Sequence, residues 1–141
     1  MKLSTKSTYG LRAMLNVANR SGSDAVSIAD ISNREGISTS YLEQLLNKLR
    51  HGGFIESIRG PKGGYVLARS AADITVADIV KALEGSIYPG HCSTAHSNKI
   101  SCKRSKSCVP KMVWDRLSKA INDCLESITL EDLCRKADKI G

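Results

Sequence analysis

Residues 38–68 read STSYLEQLLNKLRHGGFIESIRGPKGGYVLA. Ser38 offers a helix cap, and Leu42, Leu45, Leu46 and Leu49 then recur at the spacing of one buried helical face, up to Arg50. Gly52-Gly53 ends the helix. Phe54 to Arg59 reads as a strand, Gly60-Pro61-Lys62-Gly63-Gly64 as a basic turn, and Tyr65 to Ala68 as a returning strand. A β-hairpin placed directly after such a helix is a wing. Its glycines allow close backbone approach to a minor groove, where Arg59 or Lys62 meets negative potential. The same turn lacks the G-x-x-x-x-G-K-[ST] order and the following helix of a nucleotide-phosphate loop.

Upstream of this stretch, Ser27 caps a short helix with Asp30 in its first turn, and Gly36 breaks that helix after about Arg34. Two helices around a glycine turn have a helix-turn-helix outline. Two ordinary core helices would share that outline, and the wing is what separates the two readings. An earlier helix, roughly Thr5 to Arg20, buries Leu11, Met14, Leu15 and Ala18. Downstream, Thr75 caps a helix with Val76, Ile79, Val80 and Leu83 on its apolar face, closed by Gly85. Residues 1–85 therefore read as a winged helix-turn-helix DNA-binding domain.

Periodicity vanishes from Ser86 to Cys108, so residues 86–109 are expected to form a loop. Pro110 suits the first turn of a long helix. Its apolar stripe, Val113, Leu117, Ile121, Cys124, Leu125 and Ile128, with Trp114 beside it, predicts a dimer interface on the twofold symmetry that palindromic DNA requires. Cys124 on this stripe, and less firmly Cys134, read as small core residues. Thr129-Leu130-Glu131-Asp132 starts a last helix that docks back, so residues 110–141 form a dimerisation helix and a docking helix. The fold class is mainly α with a small β-hairpin wing.

With the leucine stripe buried, Thr39, Ser40, Tyr41, Glu43, Gln44, Asn47 and Lys48 remain on the outer faces of the second helix. Gln pairs with an adenine edge, hydroxyls bond bases or phosphates, and Glu43 can accept from a cytosine amino group. An exposed polar face is most often only solvated. The adjacent basic wing favours a DNA-reading face of Ser38, Thr39, Ser40, Tyr41, Glu43, Gln44, Arg50, Arg59, Gly60 and Lys62, with Lys2 and Lys6 as further phosphate contacts.

The 141 residues carry 21 Lys and Arg against 14 Asp and Glu, a net charge of +7 that favours a polyanionic partner such as double-stranded promoter DNA. No apolar run approaches membrane-spanning length, and the opening MKLSTKSTYG lacks an apolar signal core, so a cytoplasmic location without a membrane partner is expected. Thiols are kept reduced there, so the 5 cysteines read as ligands, sensors or core residues rather than a disulfide framework. No nucleophile with a base and an orienting partner is recognisable, which argues against an enzyme and a small-molecule substrate.

Cys92, Cys102 and Cys108 cluster with His91 and His96 in the loop. Lys99, Lys103, Arg104 and Lys106 would offset three thiolates and make them reactive. A metal centre is favoured over a bare thiol switch. The C-x9-C-x5-C spacing lacks the short knuckles of most zinc sites, and zinc and a 2Fe-2S cluster both stay open.

The segments MKLSTKSTYGLRAML, SYLEQLLNKLR, SIRGPKGGYVL, ITVADIVKALEG and ITLEDL resemble the IscR-type winged-helix transcriptional regulators, a family with NsrR and CymR relatives, and most closely the IscR branch. The resemblance spans essentially the whole chain. It implies a homodimer on palindromic promoter DNA, with Ser40, Tyr41, Glu43 and Gln44 in the major groove and Arg59 and Gly60 in the wing contact. It also implies a 2Fe-2S cluster on Cys92, Cys102 and Cys108. The family's fourth ligand, a histidine three residues after the third cysteine, is replaced here by Lys111, a poor ligand when protonated. The acidic residue that serves NsrR-like relatives is replaced by Thr8, which leaves His91 and His96 as imidazole candidates. The implied function is a repressor of iron-sulfur cluster assembly genes that senses cluster supply. A cysteine-metabolism or nitric-oxide-responsive repressor of the same fold, or a zinc-stabilised interaction module, are the alternatives.

Overall fold

The computed structural model describes residues 3–19, 24–88 and 109–140. The chain runs α1 (Thr5–Asn19), α2 (Ile28–Glu35), α3 (Thr39–His51), β1 (Ile55–Ile58), β2 (Gly64–Leu67), a 3-10 turn at Ala71–Asp73, α4 (Val76–Glu84), α5 (Val109–Glu126) and α6 (Leu130–Ile140).

Each short helix has a local reason to begin where it does. The Ser27 hydroxyl accepts from the Asp30 amide at 3.1 Å, and the Ser38 hydroxyl from the Tyr41 amide at 3.3 Å, so each satisfies a donor that the first turn leaves free. Gly36 ends α2 at φ 66°, a left-handed conformation that costs glycine little. α2 and α3 are thereby set at a sharp turn. Their apolar faces meet those of α1 in one core, where Met14, Ile31, Leu42, Leu45, Leu46 and Leu49 are fully buried. Each such side chain contributes about 1.5–3 kcal/mol relative to exposure.

The hairpin pairs Ile55 with Leu67, Glu56 with Val66, Ser57 with Tyr65 and Ile58 with Gly64. Val26, just before α2, exchanges two backbone hydrogen bonds with Tyr65, at 3.0 and 2.8 Å. The wing is thus stitched to the helix-turn-helix rather than hanging from its own turn.

The starts of α4 and α6 are joined in the same way. Thr75 and Asp78 cap each other reciprocally, as do Thr129 and Asp132. The two caps lie side by side, with the Val76 amide on the Ile128 carbonyl at 2.9 Å and the Leu130 amide on the Ile74 carbonyl at 2.8 Å. The related segments ITVAD and ITLED therefore form one back-to-back junction. It buries Leu130 completely and docks α6 on the first domain.

α5 divides its apolar residues between two surfaces. Ile121, Leu125 and Ile128 pack against Val76, Val80 and Ile87 of the same chain. Val113 and Leu117 are exposed, as are Val109 one turn before Val113 and the adjacent Met112, with Trp114 at their edge. The single stripe expected from the sequence is thus split into an internal seam and an uncovered face. Cys124 departs from its expected place in a core: it lies on the exposed side of α5, whereas Cys134 is half-buried against the main core.

Candidate nucleic-acid interface

The first two turns of α3 carry Thr39, Ser40, Glu43 and Gln44, all exposed, while the leucines one step around the helix are buried. No hydrogen bond or ion pair with another described residue engages these four side chains, nor those of Arg59 and Lys62. Polar groups without internal partners on a rigid helix are available for an external one. Asn47 and Arg50 farther along bond each other at 3.4 Å, and Lys48 reaches the Leu83 carbonyl at 3.5 Å, tying α3 to α4.

The wing tip Arg59-Gly60-Pro61-Lys62 is exposed, and its turn is closed by the Gly63 amide on the Gly60 carbonyl at 2.9 Å. Gly64 is required by its surroundings. It sits at φ 157°, and a Cβ there would collide with the Val26 carbonyl. The gap between the wing, the start of α2 and α3 is a cleft of about 290 Å³ lined by Ser27, Ile28, Glu43, Ser57, Ile58 and Tyr65, among others. A helix face, a wing tip and a cleft between them form a surface on which one backbone strand could lie.

Sequence reasoning overlooked the support behind this surface. The Tyr41 ring meets Tyr9 edge to face, with centroids 5.9 Å apart at 88°, and its hydroxyl is 3.4 Å from Thr5 Oγ1. Arg12 lies 5.8 Å from the Tyr9 ring centroid. The N-terminal turn of α1 is in turn held by Glu84 at the end of α4. The Ser4 amide donates to Oε1 at 2.8 Å, the Ser4 hydroxyl bonds the same oxygen, and the Ser7 hydroxyl donates to Oε2 at 2.6 Å. Desolvation pushes the Glu84 carboxyl upward, but the hydrogen bonds from Ser4 and Ser7 outweigh it and hold the group below its ordinary value. One signal was legible: Ser7 is a buried hydroxyl on the apolar face of α1, and such a group needs a partner from another element.

Lys2, His91, Cys92, His96, Cys102 and Cys108 lie outside the described residues, and no metal-binding group of His, Cys, Asp or Glu occurs among those described. Both flanks of the cysteine segment are described, and they meet. The Tyr88 hydroxyl donates to Asp115 Oδ1 at 2.7 Å, and the Lys111 ammonium donates to Asp115 Oδ2 at 2.9 Å. The Tyr88 hydrogen bond, followed by that of Lys111, holds the Asp115 carboxyl below its usual range. Lys111 is thus engaged as a cation. Thr8 is exposed on α1.

The Rrf2 family profile, described as an iron-dependent transcriptional regulator, matches residues 3–136. The chain belongs to the Rrf2 family. This Rrf2 protein is therefore a DNA-binding transcriptional regulator, and its family is one of regulators rather than enzymes. It is 41% identical over 138 residues to the helix-turn-helix transcriptional regulator IscR of Xenorhabdus nematophila, which covers 98% of this chain and 82% of that relative. Its fold matches the solved structure of T. potens IscR with a TM-score of 0.78 at 40% identity, over 99% of this chain and 90% of that one. It also matches CymR, the global cysteine regulator of B. subtilis, with a TM-score of 0.75 at 35% identity, over 96% of this chain and 98% of that one. The mainly helical winged-helix class expected from the sequence is the class of this Rrf2 chain. Among the described residues, no helix is long and apolar enough to cross a membrane.

Proposed function

We propose that this Rrf2 protein is a homodimeric repressor of iron-sulfur cluster assembly genes and senses cluster supply through its own 2Fe-2S cluster. The observation that carries the DNA half of this reading is the unpartnered polar face of α3 beside the basic wing tip. On it, Ser38, Thr39, Ser40, Tyr41, Glu43 and Gln44 read bases or fix register, and Arg50, Arg59, Gly60 and Lys62 approach the backbone or minor groove. Twofold symmetry comes from the uncovered face of α5, where Val113, Trp114 and Leu117 would meet their copies. Cys124 is exposed farther along the same helix, whereas Ile121, Leu125 and Ile128, which pack against Val76, Val80 and Ile87 of their own chain, are left out of that contact.

The cluster half rests on the donor set and on the named relatives. Cys92, Cys102 and Cys108 supply three thiolates between flanks that Asp115 ties together, a chemistry that suits an iron-sulfur cluster. Several of the similar proteins are named IscR, and the family description is iron-dependent. Lys111 is paired with Asp115, and His91 and His96 are the candidates for the fourth ligand. When bound, a cluster supplies a redox- and supply-sensitive centre. Cys92, Cys102 and Cys108 would hold it, and its loss would reshape the segment between Tyr88 and α5 and alter the spacing of the two recognition helices.

The test is anaerobic purification followed by iron, sulfide and zinc analysis and a visible spectrum, before and after replacing the three cysteines by serine. Two irons and two sulfides per chain, lost in the serine variant, are expected. Zinc without iron or sulfide overturns the cluster and favours a zinc-stabilised module. The likeness to CymR supports a second reading, a repressor of cysteine metabolism, and a nitric-oxide response is a third. Gene expression on deletion separates the three.

A further inference from the structure

Tyr41 sits in the first turn of the recognition helix, yet its side chain is braced from α1, and α1 is braced from the end of α4. The chain of contacts is continuous. Glu84 takes hydrogen bonds from the Ser4 amide and from the Ser4 and Ser7 hydroxyls. The turn so fixed carries Thr5, 3.4 Å from the Tyr41 hydroxyl, and leads one turn on to Tyr9, whose ring meets that of Tyr41 edge to face. α1 and α4 are in close contact where this happens, since a Cβ on Gly10 would collide with Leu83. Lys48 of α3 donates to the Leu83 carbonyl at 3.5 Å, so α4 touches the recognition helix as well.

We infer that Glu84 is a positioning residue for DNA recognition, acting through Ser4, Ser7 and Tyr9 to fix the side chain of Tyr41 at the groove-facing end of α3. The inference rests on the DNA-reading role proposed for α3. Glu84 itself need not touch DNA, because both its oxygens are already engaged within the chain. A rigid aromatic contact loses little freedom on binding, and releasing the brace restores that freedom. The cost then falls on sequence-specific binding, which depends on where Tyr41 stands. It should not fall on the sequence-independent attraction of the basic surface for phosphates.

The test uses the full-length protein and two duplexes: one selected from a random pool by the unsubstituted protein, and one of random sequence. Fluorescence anisotropy gives both affinities, and a thermal melt reports folding. Glu84→Ala is expected to lower the Tm, since the Ser4 and Ser7 hydrogen bonds are lost, and, at a temperature where the variant is fully folded, to weaken binding to the selected duplex about five- to tenfold with random-duplex affinity little changed. Glu84→Gln keeps one carbonyl acceptor and should lose less, which gives a readout even where Glu84→Ala folds poorly. In a Tyr41→Ala background the Glu84 substitutions should have no further effect on specificity. Losses that add to that of Tyr41→Ala, or that are equal on both duplexes, would overturn the inference. Failure of the unsubstituted protein to enrich any duplex overturns the DNA-reading face, and the role of Glu84 falls with it.

Discussion

Lys111 donates to Asp115 at 2.9 Å across one turn of α5, and the same carboxylate accepts the Tyr88 hydroxyl from the other flank of the cysteine segment. The position at which IscR-type regulators place a histidine ligand is here part of a clamp. Lys111→His should remove the ammonium's bond to Asp115, leave that of Tyr88 in place, and offer an imidazole. The expected outcome is more iron retained after dialysis against a chelator than in the unsubstituted protein. His91→Ala and His96→Ala should divide: the one that is the fourth ligand lowers iron content, and the other leaves it unchanged.

Arg59 stands at the exposed wing tip without an internal partner among the described residues. Replacing it by alanine should lower affinity for a selected duplex by about 1–3 kcal/mol if it reads a groove edge, and should reduce the salt slope by about 1 if it neutralises a phosphate. Titrations at several salt concentrations check this. Unchanged affinity with an identical slope would remove Arg59 from the interface.

Gly64 faces the Val26 carbonyl with no room for a side chain and adopts a positive φ. Gly64→Ala must push β2 off the bridge that joins Val26 to Tyr65. The expected result is a larger loss in DNA binding than in thermal stability, because the wing is displaced while the leucine core stays packed. Paired melts and binding isotherms would show whether the two effects separate.

Two leucines of α5 should behave differently. Leu117 is 41% exposed, whereas Leu125 packs against the Val76, Val80 and Ile87 cluster. Leu117→Glu should convert a dimer to a monomer in analytical ultracentrifugation with little loss of secondary structure. Leu125→Ala should lower the Tm instead, at the mild end of the about 2–5 kcal/mol range for such truncations, since the residue is only half-buried.

The Glu84 carboxyl titrates below its ordinary value in the folded chain, because desolvation raises it less than the hydrogen bonds of Ser4 and Ser7 lower it. A group with a lowered folded value contributes stability that is complete above the unfolded pKa, about 4.3 for Glu, and is lost as pH falls through the folded value. Glu84→Gln should therefore flatten the acid limb of stability below about pH 4.5 and leave the shape of the curve near neutrality unchanged. Melts across that range would detect it.

The sequence by itself determined the elements and their order. The leucine spacing of 42, 45, 46 and 49, the caps at Ser27, Ser38, Thr75 and Thr129, and the glycines at 36 and 85 act over one or two helical turns, and local physics suffices to place them. The outward face of α3 followed, since burying one face of a helix defines the other. Contacts between distant parts of the chain had no such local signature. Glu84 meets Ser4 and Ser7 across 80 and 77 positions, and Tyr41 meets Tyr9 across a different helix pair. The division of the α5 stripe was also invisible, because apolar spacing shows that a face is covered but not which surface covers it. Only the junction of α4 with α6, which turns Ile121, Leu125 and Ile128 inward and leaves Val113 and Leu117 outside, decided that.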